Sequence, residues 1–248
     1  MKDYINPEIK MNRTVYFRDI AARLLLKGVK VPLLEKELYF LREIVKPKQN
    51  AIDVGANVGI YSAYLSRLVG KYGLVFAFEP FFATFSHLIK NIGASENVKC
   101  FNIALGEKKG SIGLRLPQIR GGRINDPYVN VLPMQEGNVI MDTLDNFISE
   151  HNIDSLSFMK VDVEGYEYNV FRGAKYTLEK LRPIILTEIE ERWAKRYGHT
   201  SIEVNDILVA HDYSCFFLKK KKLSPCESEM SKSGNYFYWP EEVSRPRN

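Results

Sequence analysis

The sequence predicts an α/β fold built on a mostly parallel sheet with helices on both faces. Short apolar runs alternate with amphipathic stretches between residues 51 and 189, and this order is typical of parallel strands joined by helical crossovers. A glycine-rich turn at residues 53–59 follows the first apolar run and precedes a helical stretch. The 248 residues are 45% hydrophobic and 26% charged, which suits a globular domain and excludes a disordered or collagen-like chain.

Two helical stretches precede the first predicted strand. Residues 15–27 and 33–45 carry apolar side chains at helical spacing, and Gly28 and Pro47 follow as stop signals. We therefore expect a helical segment at 1–46 and one domain at 47–248. The first residues lack the apolar core of a signal peptide, and no apolar run approaches the length of a membrane span, so neither is expected.

The remaining elements follow from apolar runs and turn residues. Strands are predicted at 51–55, 74–78, 98–105, 157–163 and 183–189, with helices at 59–69, 82–92, 143–151, 166–181 and 190–212. Late strands at 213–219 and 236–239 should form an antiparallel pair. Glycines and prolines punctuate residues 106–141, which predicts a hairpin-rich excursion.

Charge and cysteine content bound the environment and the partners. The net charge of +5 is mild for this length and does not indicate a nucleic-acid partner. Three cysteines, none in a CxxC pair, suggest neither a disulfide framework nor a structural zinc site. The sequence therefore predicts a cytoplasmic protein.

The turn at residues 53–59 predicts a ligand site at the end of the first strand. Gly55 and Gly59 would let a ligand approach the main chain where a Cβ would collide, and the next helix would present its first N–H groups. The spacing differs from the G-x-G-x-x-G of dinucleotide sites. Asp53 would repel a pyrophosphate and attract an ammonium or sulfonium, which favours S-adenosylmethionine over NAD.

Further candidates follow the later strands. Glu79 ends the second strand, where an acid can accept hydrogen bonds from a ribose diol. Three residues at the end of the third strand would border an adenine ring in such a fold: Asn102, Ala104 and Leu105.

The fourth and fifth strands deliver acids to the same edge. Asp162 and Glu164 follow the fourth strand and Glu188 ends the fifth, and a buried strand end tolerates acids only when they are paired or used. A plain ion pair with Lys160 is the competing interpretation. His199, in a loop after the fifth strand, could reach the substrate side, and none of the four histidines has metal-ligand spacing with another.

Taken in order, the motifs resemble those of FkbM methyltransferases. Residues 52–62 resemble the I-D-V-G-A-N-x-G-x-Y-S start of that family, and matches follow at 78–80, 102–105, 143–145 and 160–167. The resemblance covers about residues 48–190. It implies a class I, Rossmann-like methyltransferase with a mostly parallel seven-stranded sheet and an antiparallel C-terminal pair, using S-adenosylmethionine to methylate a hydroxyl. Acceptors in such a family include sugars of glycans and natural products.

The resemblance also implies roles for single residues. It assigns the methionine part of the cofactor to Asp53, Gly55, Asn57 and Gly59, the ribose to Glu79, and the adenine to Ala104 and Leu105. Asp162 and Glu164 would lie at the transfer site. Because a neutral hydroxyl is a poor nucleophile, a general base is expected, either Glu164 or Glu188, with Asp162 organising the site and the cofactor amine and His199 as a further candidate.

Several alternatives remain open from the sequence. In a catechol-type enzyme, Asp162, Glu164 and Glu188 would bind Mg²⁺ that acidifies the hydroxyl. A binding module without catalysis is a different class of function, and an NAD-dependent enzyme is disfavoured by the glycine spacing. Three arginines of the excursion would either cap an acceptor phosphate or lie on an exposed loop: Arg115, Arg120 and Arg123. The N-terminal helices would pack on the sheet or form a homodimer contact.

Overall fold

A computed structural model describes residues 13–115, 119–120, 123–124, 130–132, 139–226 and 233–246 of the chain. Side chains are described for residues 16–114, 139–226 and 233–246. The helices are α1 Arg13–Leu26, α2 Lys36–Ile44, α3 Ile60–Val69, α4 Phe82–Ile92, α5 Leu144–Glu150, α6 Glu167–Arg172, α7 Glu191–Ala194 and α8 Ser201–Val209. A π-helical turn at Thr177–Leu181 and a 3₁₀ turn at Lys195–Tyr197 add to them.

The strands form an eight-stranded sheet, a four-stranded sheet and a separate two-stranded pair. The strands are β1 Ala51–Val54, β2 Val75–Phe78, β3 Val98–Phe101, β4 Ala104–Leu105, β5 Gly110–Arg115, β6 Ile119–Arg120, β7 Arg123–Ile124, β8 Asn130–Leu132, β9 Val139–Asp142, β10 Phe158–Val161, β11 Ile184–Ile189, β12 Tyr213–Lys219, β13 Lys222–Pro225 and β14 Gly234–Pro240. The large sheet has the order β13-β12-β14-β11-β10-β1-β2-β3, and the small one β4-β9-β5-β8, with β6 and β7 as a separate pair.

The direction of chain progress reverses between β1 and β10. The chain runs outward from β1 through β2 to β3, and later returns to the other side of β1 with β10 and β11, all pairing in parallel. β14 pairs antiparallel with both β11 and β12, which confirms the predicted antiparallel C-terminal pair. In open α/β sheets, ligands bind outside the carboxyl ends of the strands at such a reversal.

The sheet has eight strands where seven were expected. The additional strand β13 pairs antiparallel with β12, and Lys222 of β13 lies opposite Lys219 of β12. The two lysines at the tip, Lys220 and Lys221, have φ of 47° and 69°. Two-residue hairpins need this left-handed backbone and normally use asparagine or glycine, so a lysine run carries no turn signal.

The predicted third strand at 98–105 divides between the two sheets. β3 ends at Phe101, and β4 joins the small sheet by pairing in parallel with β9. The Asn102 side chain lies at the division and donates to the carbonyl oxygens of Glu79 and Pro80 (2.8 and 3.0 Å). These bonds connect the loops after β2 and β3 and turn the chain out of the large sheet.

Helices cover both faces of the large sheet. One face packs against α1 to α4 through buried side chains such as Leu25, Leu38 and Leu88. The other packs against α5, α6 and α8 through residues such as Phe147 and Val204. The N-terminal helices thus share a core with the sheet. In the described part of the chain, no helix has both the length and the apolarity needed to cross a membrane.

One pair of cysteines differs from expectation. Cys215 on β12 and Cys226 after β13 form a disulfide, whereas the sequence indicated no disulfide. The hairpin brings together two cysteines that are 11 positions apart in the sequence. This spacing matches no short cysteine motif, so the sequence alone did not indicate the pair.

Candidate active site

The candidate site lies at the carboxyl ends of β1, β2, β10 and β11, where the strand order reverses. Asp53 on β1 stands directly opposite Lys160 on β10. Asp162 follows β10, Glu79 follows β2, and Glu188 lies near the end of β11. The fold therefore gathers acids that are far apart in sequence at one edge of the sheet.

The turn after β1 depends on its two glycines for contacts within the chain. Gly55 has φ +79°, and a Cβ there would lie 1.9 Å from the carbonyl oxygen of Asp162. Gly59 has φ +95°, and its Cβ would lie 2.9 Å from methyl groups of Leu88 and Ile92. The sequence indicated room for a ligand as the reason for these glycines. The structure gives another reason, which is close approach of β10 and α4.

Asn57 and Glu79 come together across this turn. The Asn57 main-chain N–H donates to Glu79 Oε2 (3.0 Å), and the Phe81 N–H donates to Oε1 (2.9 Å). Burial raises the pKa of Glu79 to about 7, although the two N–H donors oppose the rise. Glu79 is thus held at the end of β2 with both carboxylate oxygens oriented by the backbone.

The residues expected near an adenine ring have structural contacts of their own. Asn102 connects two loops as described above, and Ala104 and Leu105 are 4% and 3% exposed in β4. Leu105 packs in the core with Phe78 and Phe147. A role at a cofactor stays a prediction for these three residues.

Asp53 is a fully buried acid with an unused acceptor. Its Oδ2 accepts from the Ser62 hydroxyl (2.5 Å), and its Oδ1 has no hydrogen-bond partner among the described residues. Burial raises the pKa of Asp53, and the Lys160 ammonium opposes that rise. A buried carboxylate with an orphan oxygen favours a nearby donor or positive charge.

Lys160 connects the two strands electrostatically. Its Nζ lies 2.7 Å from Asp162 Oδ2 and 4.5 Å from the centroid of the Tyr61 ring. Burial would lower the pKa of Lys160, but the carboxylates of Asp162 and Asp53 outweigh burial and raise it. Burial would likewise raise the pKa of Asp162, and the Lys160 charge holds it below its usual range. Both groups of this pair are therefore ionised in the folded protein.

Three predicted acids form a cluster beside this ion pair. One carboxylate oxygen each from Asp162, Glu164 and Glu188 lies within 4.8 Å of the others. Burial, followed by the negative charge of Asp162, raises the pKa of Glu164 and of Glu188 to about 8. Glu188 also shares a hydrogen bond with Asp162. Two of the acids therefore change protonation close to neutral pH, whereas the third stays ionised.

The loop after β10 places Glu164 in an unusual conformation. Glu164 has φ +55° and is followed by Gly165 at φ +100°. The buried Glu167 stabilises this loop, because its Oε1 accepts from the N–H groups of Val163 (3.0 Å) and Gly165 (3.1 Å). A non-glycine residue with positive φ persists only where its surroundings impose it.

His199 lies against α6. Its ring stacks on Tyr168 with centroids 4.0 Å apart, and its Nε2 lies 3.3 Å from the Asn169 amide nitrogen. His199 is not among the main groups that raise the pKa of Glu164 or of Glu188. The side chains of Arg115, Arg120 and Arg123, the predicted cap, lie outside the described residues.

Sequence reasoning missed three residues that the N-terminal half brings to the site. The Tyr61 hydroxyl donates to Glu35 Oε2 (2.5 Å), and the charge of Glu35 contributes to the raised pKa of Glu188. The charge of Arg18 on α1 favours ionised Asp162. Tyr61 belongs to a recognisable motif and could have been proposed. Glu35 and Arg18 have no sequence signal, because their proximity to the site arises only from tertiary packing.

The charges at this edge fit a cationic cofactor. Asp162 and Asp53 both act on the buried ammonium of Lys160, Glu79 follows the neighbouring strand β2, and Asp53 keeps an oxygen without a hydrogen-bond partner among the described residues. These acidic side chains suit the positively charged ammonium and sulfonium of S-adenosylmethionine and would repel a pyrophosphate. The residues that would hold such a cofactor are Asp53, Asn57 and Glu79, with Asp162 near its amine.

The chain is similar to known methyltransferases. The sequence model of the methyltransferase FkbM domain family matches residues 53–215, which is more than half of the chain. The 2-O-methyltransferase NoeI of Sinorhizobium fredii is 27% identical over 184 residues, which span 67% of this chain and 74% of that protein. Methyltransferase 1 of Beauveria bassiana is 30% identical over 142 residues, 49% of this chain and 57% of that protein.

A solved structure of a methyltransferase FkbM from Methylobacillus flagellatus aligns with 92% of this chain and 60% of its own, with 14% identity and a TM-score of 0.49. The match to the family over residues 53–215 begins within β1, contains β10 and β11 completely, and includes Asp162, Glu164 and Glu188. The chain belongs to the FkbM family and is an S-adenosylmethionine-dependent methyltransferase.

Proposed function

We propose that the chain is an O-methyltransferase that methylates a hydroxyl of a sugar, a glycan or a natural product. The cluster of Asp162, Glu164 and Glu188 carries this proposal, because it places proton acceptors at the strand reversal beside the residues that fit the cofactor. The Sinorhizobium relative is a 2-O-methyltransferase by name, which supports oxygen as the methylated atom. When bound, S-adenosylmethionine supplies an electrophilic methyl group.

The protein's own contribution is to orient the acceptor and take its proton. Glu188 or Glu164 accepts the hydroxyl proton, since a pKa of about 8 suits a base that works near neutral pH. Asp162 is a positioning residue, because Lys160 keeps it ionised and its other contact orients Glu188. In-line transfer demands alignment more than chemical activation, and this buried network is suited to hold that alignment.

Titration calorimetry with S-adenosylhomocysteine tests the cofactor assignment, with NAD as the control ligand. We expect binding of the first and none of the second, and Glu79→Ala should weaken the binding about tenfold or more. Binding of NAD alone would contradict the assignment of the turn at residues 53–59. Binding of neither ligand would favour a module without catalysis.

Glu164→Gln and Glu188→Gln test the base in a screen of sugar hydroxyls with labelled methyl donor. Loss of the base should lower turnover about 100-fold, while the affinity for S-adenosylhomocysteine stays unchanged. Glu96→Gln, an exposed residue before β3, is the matched control. Full turnover in both variants would refute the assignment of the base.

A magnesium-dependent mechanism is the second candidate, and the 4.8 Å spacing of the three acids favours it. The acids would supply oxygen ligands, and the metal would acidify the hydroxyl. Lys160 already occupies one side of Asp162 at 2.7 Å, which weighs against this candidate. Turnover that survives extensive treatment with EDTA would exclude it, whereas loss that Mg²⁺ restores would support it.

A further inference from the structure

The residue that precedes α2 brings a further carboxylate close to the candidate active site. Glu35 is exposed, and its Oε2 accepts the hydroxyl hydrogen of Tyr61 (2.5 Å). Its charge contributes to the raised pKa of both Lys160 and Glu188, so it lies near enough to act on both groups. The contact joins positions 26 residues apart and depends on the packing of α2 against the sheet.

A short series of buried contacts fixes Glu35 relative to the transfer acids. Tyr61 is 7% exposed in the first turn of α3, and the Lys160 ammonium lies 4.5 Å from the centroid of its ring. Lys160 in turn binds Asp162 at 2.7 Å. Exposed carboxylates usually sample several rotamers, whereas this one is anchored through Tyr61 to the ion pair.

Glu35 keeps hydrogen-bonding capacity for a ligand. Its Oε1 makes no hydrogen bond within the described ranges, and an ionised carboxylate accepts hydrogen bonds and donates none. Together with ionised Asp162 it gives one side of the site negative charge, and Glu164 and Glu188 add oxygens that accept hydrogen bonds. This side suits a ligand with several O–H donors and opposes an anionic group.

We propose that Glu35 is a specificity residue that accepts a hydrogen bond from an acceptor hydroxyl next to the one that is methylated. The acceptor is accordingly an uncharged polyhydroxylated ring, with no phosphate or carboxylate beside the reacting hydroxyl. This inference rests on the proposed function and deepens it by naming the chemical class of the acceptor and a residue that recognises it.

Saturation-transfer NMR on the protein loaded with S-adenosylhomocysteine tests the inference. The probes are methyl glycosides of common neutral hexoses at millimolar concentration, together with their 6-phosphates. We expect neutral glycosides to bind and Glu35→Ala to weaken them about tenfold or more, since a hydrogen bond to a charged group is lost. Tyr61→Phe keeps the carboxylate but removes its anchor, so it should weaken binding less. Glu43→Ala, which changes an exposed acid on α2, is the matched control.

The outcomes separate this inference from the proposed function. Failure of the wild-type protein to bind S-adenosylhomocysteine in calorimetry contradicts the proposed function itself. If that ligand binds, then absence of neutral glycoside binding, preference for the phosphates, or equal affinity in Glu35→Ala overturns the inference. In the transfer assay with a glycoside that binds, Glu35→Ala should raise KM and leave kcat within about twofold.

Discussion

Replacing Lys160 with methionine removes the buried positive charge between β1 and β10. Its ammonium lies 2.7 Å from Asp162, which corresponds to about 6 kcal/mol of attraction at an effective dielectric constant near 20. The desolvation of the lysine offsets part of this attraction. Removal of one partner from a buried pair costs about 3–5 kcal/mol, a large part of the roughly 5–15 kcal/mol that stabilises a typical domain. We therefore expect Lys160→Met to lower the free energy of unfolding by about 3–5 kcal/mol at pH 8.

Urea unfolding at several pH values measures this change. Because Lys160 holds the pKa of Asp162 below its ordinary value of 3.8, the pair stabilises the folded state above that pH and loses its effect below it. The difference between wild type and variant should accordingly be full at pH 8 and shrink as the solution becomes acidic. Lys160→Met combined with Asp162→Asn should recover part of the loss, since the unpaired charge is then absent.

The exposed Lys109, paired with Glu150, provides the control, and Lys109→Met should leave the unfolding curve unchanged. An equal loss for Lys160→Met at about pH 2, where Asp162 is protonated, and at pH 8 would refute the electrostatic reasoning and indicate a packing effect. A double variant no more stable than Lys160→Met would refute the claim that the uncompensated Asp162 carboxylate causes the loss.

Three further predictions concern stability and are measured by urea unfolding. Gly55→Ala should lower the free energy of unfolding by at least about 2 kcal/mol and weaken the binding of S-adenosylhomocysteine, because the new Cβ would clash with the Asp162 carbonyl oxygen. Gly70→Ala, at φ +65° with open space around it, is the control and should cost only about 1 kcal/mol. Equal costs for the two variants would contradict the clash. Burial raises the pKa of Glu167 to about 7, so the wild-type protein loses stability as the pH rises from 4.5 through 7. The free energy of unfolding of Glu167→Gln should therefore match that of wild type near pH 4 and exceed it by up to about 3 kcal/mol at pH 8. A difference that stays constant with pH would contradict this linkage. Cys226→Ser should cost about 3 kcal/mol in oxidised protein and nothing in reductant, and equal values in both conditions would argue against the bridge to Cys215.

The central elements could be predicted because their patterns are strong and local. The helix expected at residues 82–92 and the strand expected at 213–219 have the bounds found for α4 and β12. The parallel strands β1, β2 and β10 are buried along their whole length, so each appears in the sequence as an uninterrupted apolar run apart from Asp53 and Lys160. The acids that break or follow such runs were therefore visible as candidate site residues.

The remaining features depend on tertiary contacts that no local pattern encodes. The turn at Lys220 and Lys221 has the backbone of a tight hairpin without its usual residues. Asn102 ends β3 through bonds to a distant loop, and the position of Glu35 depends on Tyr61 26 residues later. The pKa values of Glu164 and Glu188 likewise arise from burial and from charges on other strands.

The packing of α1 and α2 on the sheet has a consequence for how acceptor choice changes among relatives. The stretch that matches the family begins at residue 53, whereas Glu35 and Arg18 precede it. In the proposed assignment, Glu35 lies outside the stretch that carries the cofactor residues and the transfer acids, although both stretches share one core. We expect substitutions before β1 to change which acceptor hydroxyl is presented without disturbing the turn at residues 53–59 or the buried ion pair. Exchange of the first 46 residues between relatives is therefore a direct route to altered regiochemistry, provided that the apolar contacts of Leu25 and Leu38 are retained.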